Sequence, residues 1–311
     1  MKKDILHIVL FCCLLFFFPC IVFAQPALKI GGMPAADSLL LYVGVQEKVF
    51  EKHGLSVEII PFQSAIEMGA AMRSGAIDGY FTCIINATLQ HLSGTPQTII
   101  ATTSYSRPDQ RHFGLVVSPQ KNITSVEELQ GKTVAVGKDT IIDFLLTQFL
   151  ASRNLPEDYI ERQDIRSVAM RLQLLMAGQV DTALLPEPLV STLEARGAAV
   201  LLDDTNLRLP LAVISFAKEK LTPEVYTQFR QALNECADLI NQYPEKYKET
   251  MLHCKLLSQD GKDAYTMIGF DKKNTPCYLP TEQELDLYFT WLYDRKLIHT
   301  KPLATELLPN F

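Results

Sequence analysis

The sequence predicts an α/β chain built from two similar lobes, and three observations carry that prediction. Short apolar runs that suit strands alternate with longer amphipathic runs that suit helices, the pattern of linked βαβ units. One piece of grammar occurs twice: Met72, Gly75, Ile77 and Asp78 before the apolar run 79–81 match Met176, Gly178, Val180 and Asp181 before 183–185. The two copies lie about a hundred residues apart, too far and too few for a solenoid.

In chain order, the first stretch stands outside the fold. Lys2 and Lys3 precede an apolar run over 5–18, and Ala24 closes a segment with the look of a cleavage site, so a secretory signal peptide cut after Ala24 is expected. A retained membrane anchor is the competing reading, but Pro19 interrupts the apolar run. A lipid-attachment site at Cys20 is set aside, because Phe17, Phe18 and Pro19 are the wrong sizes before it.

Residues 28–30 form the first strand, closed by Gly31 and Gly32. A helix over 39–53 follows, with Asp37 or Ser38 as N-cap, Gly54 as stop, and Leu39, Val43, Gln46 and Phe50 as its core stripe. Residues 55–60 alternate as the second strand; Ser64 opens a helix that ends at Gly75. The third strand is 77–81, the loop 82–86 leads into a helix ending at Gly94, and 97–103 is the fourth strand.

In the second half, strands over 112–117, 133–137, 159–165 and 180–185 alternate with a capped turn at 125–131 and helices over 141–153 and 168–176. The last of these strands runs into Pro186, Glu187 and Pro188. Each proline fixes one φ and biases its predecessor toward extended geometry, so Glu187 is held in a nearly constant direction. That loop falls at the C-terminal edge of a sheet, where open α/β sheets place ligands. A helix over 189–196 stops at Gly197, and the apolar run 210–216 reads as the return crossing into the first lobe. Helices over 222–242, 244–252 and 281–297 pack around that lobe, with Trp291 as a packing residue.

Removing residues 1–24 from the 311 leaves 287, a length that suits two lobes, and takes away two Lys and one Asp, moving the formal charge from −6 to −7. A mildly acidic chain without a basic cluster argues against nucleic-acid binding. Four of the seven cysteines remain, Cys83, Cys236, Cys254 and Cys277, and three pairings are open to them. Cys254 and Cys277 bracket a polar irregular segment and are the candidate staple; Cys83 reads as a small buried residue. No metal is expected, because His253 and Cys254 lack a second ligand pair at the right spacing. No cofactor is expected either: the phosphate loop, nucleophile elbow and His-Glu-x-x-His motifs are missing from the sequence.

Residues 28–300 resemble the solute-binding proteins of ABC importers for alkanesulfonates, nitrate and taurine, a superfamily that also holds binding proteins for thiamine pyrimidine precursors. The stretches 45–57, 72–78, 131–136 and 180–188, in this order and spacing, carry the resemblance. It implies a type II periplasmic-binding-protein fold: two α/β lobes joined by two hinge strands. By that analogy lobe one is 27–107 plus 214–311, lobe two is 108–213, and the hinges lie near 104–115 and 209–215. The resemblance implies a periplasmic monomer that clamps a small solute and hands it to a permease with its ATPase. Some enzymes of menaquinone and thiamine biosynthesis share the fold and supply the alternative.

Loops that follow strand ends should line the cleft: Met33, Ser38, Gln63, Ser64, Phe81, Cys83, Asn86 and Tyr105 from lobe one, and Lys138, Asp139, Thr140 and Glu187 from lobe two. Two chemistries stay open. Helix N-termini at Ser38, Ser64 and Thr140, with Lys138, suit a sulfonate, nitrate or carboxylate. Glu187 with Phe81, Tyr105 or Phe62 suits a cationic or amino-bearing heteroaromatic. The bland readings are caps for Ser64 and Thr140, a first-turn acid for Glu187, hinge packing for Tyr105, and turn hydrogen bonds for Asp78 and Asp181.

Overall fold

The computed structural model describes residues 27–270 and 278–311, so the expected signal segment and Cys277 lie outside the described residues. Two five-stranded sheets form, one in each lobe. The first holds β1 (Leu28–Gly32), β2 (Val57–Pro61), β3 (Gly79–Thr82), β4 (Gln97–Tyr105) and β10 (Pro210–Ala217) in the order β2-β1-β3-β10-β4. The second holds β5 (Phe113–Val117), β6 (Thr133–Val136), β7 (Glu161–Asp164), β8 (Thr182–Pro186) and β9 (Val200–Asp203) in the order β7-β6-β8-β5-β9. In each sheet four strands run in one direction, and a strand arriving from the other lobe inserts antiparallel between the central one and the last.

The duplicated grammar is therefore a duplicated position. β3 and β8 are each third of five. Gly75 (φ 70°) and Gly178 (φ 68°) close the helices before them in the left-handed region, which glycine enters without a Cβ clash. Asp78 accepts from Lys29 N at 2.9 Å, and Asp181 accepts from Thr133 N at 2.9 Å, so each aspartate ties its central strand to the start of the neighbouring one. This is the hydrogen-bonded structural role read for both in the sequence.

Helices fill the layers: α1 (Leu39–Gln46), α2 (Val49–Lys52), α3 (Ala65–Arg73), α4 (Ile84–Leu92), α5 (Ile141–Ser152), α6 (Val168–Met176), α7 (Leu189–Ala195), α8 (Pro223–Gln242), α9 (Pro244–His253), α10 (Glu282–Asp294) and α11 (Ala304–Leu307). The single helix expected over 39–53 breaks at Lys48, whose φ of 55° turns the chain back. The break lays the Phe50 ring on Gly44, where a Cβ would collide with it. It also removes Gln46 from the core stripe: that side chain is exposed and accepts from Thr250 Oγ1 at 3.0 Å. The turn expected at 125–131 is a short 3-10 helix, Glu127–Leu129.

Two segments cross between the sheets, 106–112 and 204–209, and they hold each other. Ser106 N donates to Leu209 O, and Leu209 N donates to Ser106 Oγ, each at 2.8 Å. Pro210 already pairs with Tyr105 in β4, so residues 210–213, expected on the lobe-two side, belong to the first sheet. One apolar core also runs through both lobes, joining Ile99 and Val213 of the first sheet to Leu115, Val134 and Leu184 of the second. Its centre is a contact between α5 and α10: Phe144 stacks on Tyr288 at 4.4 Å and meets Trp291 edge-on at 5.7 Å. Among the described residues no helix is long and apolar enough to cross a membrane.

Candidate functional site

The first three strands of each sheet, with the turns and helices that follow them, converge on one place. From lobe one come Met33 and Asp37 after β1, Met68 of α3, Phe81 at the end of β3 and Cys83 after it; from lobe two come Thr140 after β6, Arg166 after β7, Arg171 of α6 and Glu187 after β8. They enclose an interlobe cavity of about 140 Å³. A wider groove of about 590 Å³ shares Ala65, Asn86, Thr140 and Arg166 with it and leads outward. The cavity wall is mainly apolar, with Ala35, Ala36, Ile141, Ile142, Val168 and Leu211 between the polar groups.

Four helices start at this cavity. Ser64 Oγ accepts Glu67 N at the start of α3, Thr140 Oγ1 accepts Ile142 N in α5, and Ser167 Oγ accepts Met170 N in α6. Cys83, before α4, makes no side-chain cap. The first-turn N–H groups left over give this end of each helix a partial positive charge.

The ionisable groups on the wall differ in how well they are satisfied. Glu187 is buried and fully engaged: Oε1 accepts Arg111 Nε at 2.8 Å and Ser191 Oγ at 2.9 Å, and Oε2 accepts Ser191 N at 3.1 Å. Arg166 pairs with Asp164 at 3.2 Å and with Asp139 at 3.6 Å. His112 is buried, and desolvation, helped by Arg107, pulls its pKa down to about 3, so it is neutral. Asp37 and Arg171 have no ion-pair partner among the described residues. Asp37 Oδ2 accepts Ser104 Oγ at 2.5 Å, and burial pushes its pKa up to about 6. Arg171, only 2% exposed, donates Nη1 to Ile165 O at 2.8 Å and to Arg166 O at 3.2 Å; its Nε has no partner. Desolvation draws its pKa down to about 10.

A model of the NMT1/THI5-like family matches residues 35–247, more than half of the chain. The chain belongs to that family. It is 23% identical over 197 residues to a Brachyspira hyodysenteriae protein that carries the name of an ABC transporter periplasmic binding protein. That match takes in 59% of this chain and spans only 55% of the relative's length. Among solved structures, the alkanesulfonate-binding protein SsuA of Xanthomonas axonopodis pv. citri, bound to MOPS, superposes with a TM-score of 0.75 at 20% identity over 91% of this chain and 99% of that one. The aliphatic sulphonate-binding SsuA of Escherichia coli gives 0.72 at 19% identity over 92% and 98%, and the nitrate-binding NrtA of Synechocystis gives 0.70 at 14% over 90% and 83%. These likenesses establish the type II periplasmic-binding-protein fold.

Within this family member, six of the twelve residues expected at the cleft line the cavity: Met33, Phe81, Cys83, Asn86, Thr140 and Glu187. Asp139 lines the outer groove instead, in a left-handed conformation with φ 62°. The remaining five are turned to other tasks. Ser38 Oγ donates to Met33 O at 2.8 Å and Ala35 O at 2.7 Å, shaping the turn rather than capping α1. Gln63 is exposed, and Ser64 is a cap for α3. Lys138 is exposed, because its backbone N–H is anchored to Asp164 Oδ1 at 2.9 Å and its side chain points to solvent. Tyr105 belongs to the hinge: its hydroxyl donates to Arg208 O at 2.8 Å and Glu284 Oε1 at 2.9 Å, and its ring meets Tyr278 edge-on at 5.6 Å.

The sequence reading missed Asp37 as a wall residue and missed Arg171 and Arg111 altogether. Arg171 did leave a signal. It falls on the same helix face as Val168 and Leu175, an arginine on an apolar stripe, and it is buried there with Leu175. Among the described residues Cys83, Cys236 and Cys254 form no disulfide with one another; Cys83 is half-buried, and burial raises its pKa. The staple expected between Cys254 and Cys277 falls partly outside the described residues.

Proposed function

We propose that this chain is the solute-binding component of an ABC importer, exported through residues 1–24 into the periplasm as a monomer. It captures a small solute between its lobes and presents the closed form to a membrane permease driven by an ATPase. The observation that carries this reading is the cavity itself: an apolar space walled by both lobes, at the C-terminal edges of both sheets, with four helix N-termini and Arg171 facing it. Helix N-termini and a guanidinium favour an anionic group, which fits the alkanesulfonate, nitrate and taurine class better than an uncharged pyrimidine. Met33, Phe81, Asn86 and Thr140 would shape the wall around the solute.

The lobes in this reading are 27–107 with 210–311, since β10 starts at Pro210, and 108–209, pivoting on the paired segments near Ser106 and Leu209. A ligand that touches both lobes stabilises the closed state by its differential affinity for it. No chemical step is assigned: among the described residues the side-chain partner of neutral His112 is Gln110 rather than a hydroxyl or thiol. The test is a thermal-shift screen of the purified protein against alkanesulfonates, nitrate, amino acids and pyrimidines, followed by solution scattering on each hit. A hit that raises the melting temperature and contracts the particle is expected. Turnover of any of these compounds, or no hit among them, refutes the proposal.

A further inference from the structure

The two wall groups without ion partners among the described residues belong to different lobes. Asp37 comes from the loop after β1 in lobe one, and Arg171 from α6 in lobe two. Both are buried, at 8% and 2% exposure. A buried charge is ordinarily paired, because desolvation in a low-dielectric site is otherwise uncompensated. The other charged groups of the wall obey that rule, Glu187 through Arg111 and Arg166 through Asp164. Asp164 is the acid near Arg171, but it is committed to Arg166 and to Lys138 N. Arg171 is held by two backbone carbonyls that fix its direction without neutralising it. Asp37 is held by neutral donors, the Ser104 hydroxyl and a backbone N–H, and by no cation among the described residues.

We infer that the solute is a small zwitterion, with its ammonium group against Asp37 and its carboxylate or sulfonate against Arg171. This rests on the reading of the cavity as a solute site and narrows it to one ligand class. Such a molecule supplies the missing partner to each wall at once, and because the partners belong to different lobes it also ties the lobes together. An anion alone leaves Asp37 buried and unpaired; a cation alone does the same to Arg171. The space, about 140 Å³, suits a compact molecule. The apolar residues between the two charges, Phe81, Ile142 and Val168 among them, suit a short hydrocarbon spacer.

Titration calorimetry with matched trios separates the charges: taurine, ethanesulfonate and ethylamine in one set, β-alanine, propionate and propylamine in the other. In at least one set the zwitterion is expected to bind at least tenfold more tightly than either singly charged analogue. Asp37→Asn should reduce zwitterion affinity at least tenfold while leaving the matched anion within about threefold. Arg171→Lys retains a charge in case Arg171→Gln fails to fold, and should weaken the zwitterion and the anion together. A singly charged analogue that binds as tightly as its zwitterion overturns the inference, as does an Asp37→Asn protein with undiminished zwitterion affinity. If none of the six binds while nitrate or a pyrimidine does, the zwitterion assignment falls and the solute-binding reading stands. If nothing binds, both fall.

Discussion

Phe144→Ala tests whether the two lobes share one core. Phe144 is fully buried in α5 of the second lobe, yet its ring partners, Tyr288 at 4.4 Å and Trp291 at 5.7 Å, belong to α10, which packs with the first lobe. Truncating a buried Phe removes its transfer free energy and leaves a cavity, about 3–5 kcal/mol in well-packed cores. The two ring contacts keep this site off the bottom of that range, since such pairs contribute about 0.5–1.5 kcal/mol beyond area alone. Taking about 4 kcal/mol, and about 2–4 °C per kcal/mol for a chain of this size, the melting temperature should fall by about 8–16 °C. Scanning calorimetry checks both size and cooperativity. The parent should unfold in one transition with equal calorimetric and van't Hoff enthalpies, and Phe144→Ala should broaden or split it, because the contact that couples the lobes has been cut. Two resolved transitions in the parent, or a fall of less than about 3 °C in the variant, would show that the shared core does not couple the lobes.

Three further outcomes follow from particular hydrogen bonds. Glu187→Gln should cost about 1–3 kcal/mol in urea unfolding, the usual range for losing hydrogen bonds to a charged group, and a double-mutant cycle with Arg111→Ala should show coupling of at least about 1 kcal/mol; strictly additive single variants would count against the pair. Asp78→Ala and Asp181→Ala should each cost about 1–3 kcal/mol through the strand N–H that loses its acceptor, and by similar amounts, since the two residues do the same job in the two lobes; a large disparity would break the equivalence. Asp204 is fully buried, Oδ1 accepts His112 N and Phe113 N, Oδ2 has no partner, and burial pushes its pKa up to about 7. Between the ordinary carboxyl pKa and about 7 the folded state holds a proton that the unfolded chain has lost, so this group's contribution to stability falls as pH rises through that window. Asparagine keeps the Oδ1 acceptor and cannot ionise, so Asp204→Asn should gain stability relative to the parent, by on the order of 2 kcal/mol, between pH 5 and 7.5. Comparing the two proteins removes the opposing titration of His112, and a pH-independent difference would refute the assignment.

Much of this molecule could be read from local pattern. The duplicated Met, Gly, Ile/Val-Asp grammar fixed the two central strands, because a left-handed glycine after a helix and an aspartate before an apolar run are short-range requirements satisfied wherever the chain folds. The caps at Ser64 and Thr140 were legible for the same reason, since a hydroxyl reaches an N–H two or three residues away. Lys48 was not legible: its left-handed turn exists so that Phe50 can lie on Gly44, and nothing in the local sequence demands that contact.

The sequence by itself determined the α/β class, the two-lobe repeat and the sheet edge at which the cavity lies, since these follow from periodicity, glycine geometry and the direction of parallel strands. Tertiary structure alone decided which polar side chains reach that edge with nothing to pair with. Glu187 carried two readings, ligand partner or first-turn acid, until Arg111, 76 positions earlier, was folded against it, and Arg171 drew no reading until α6 turned it inward. Pairing of charges depends on distances between residues far apart in the chain, and those distances exist only once the lobes have packed.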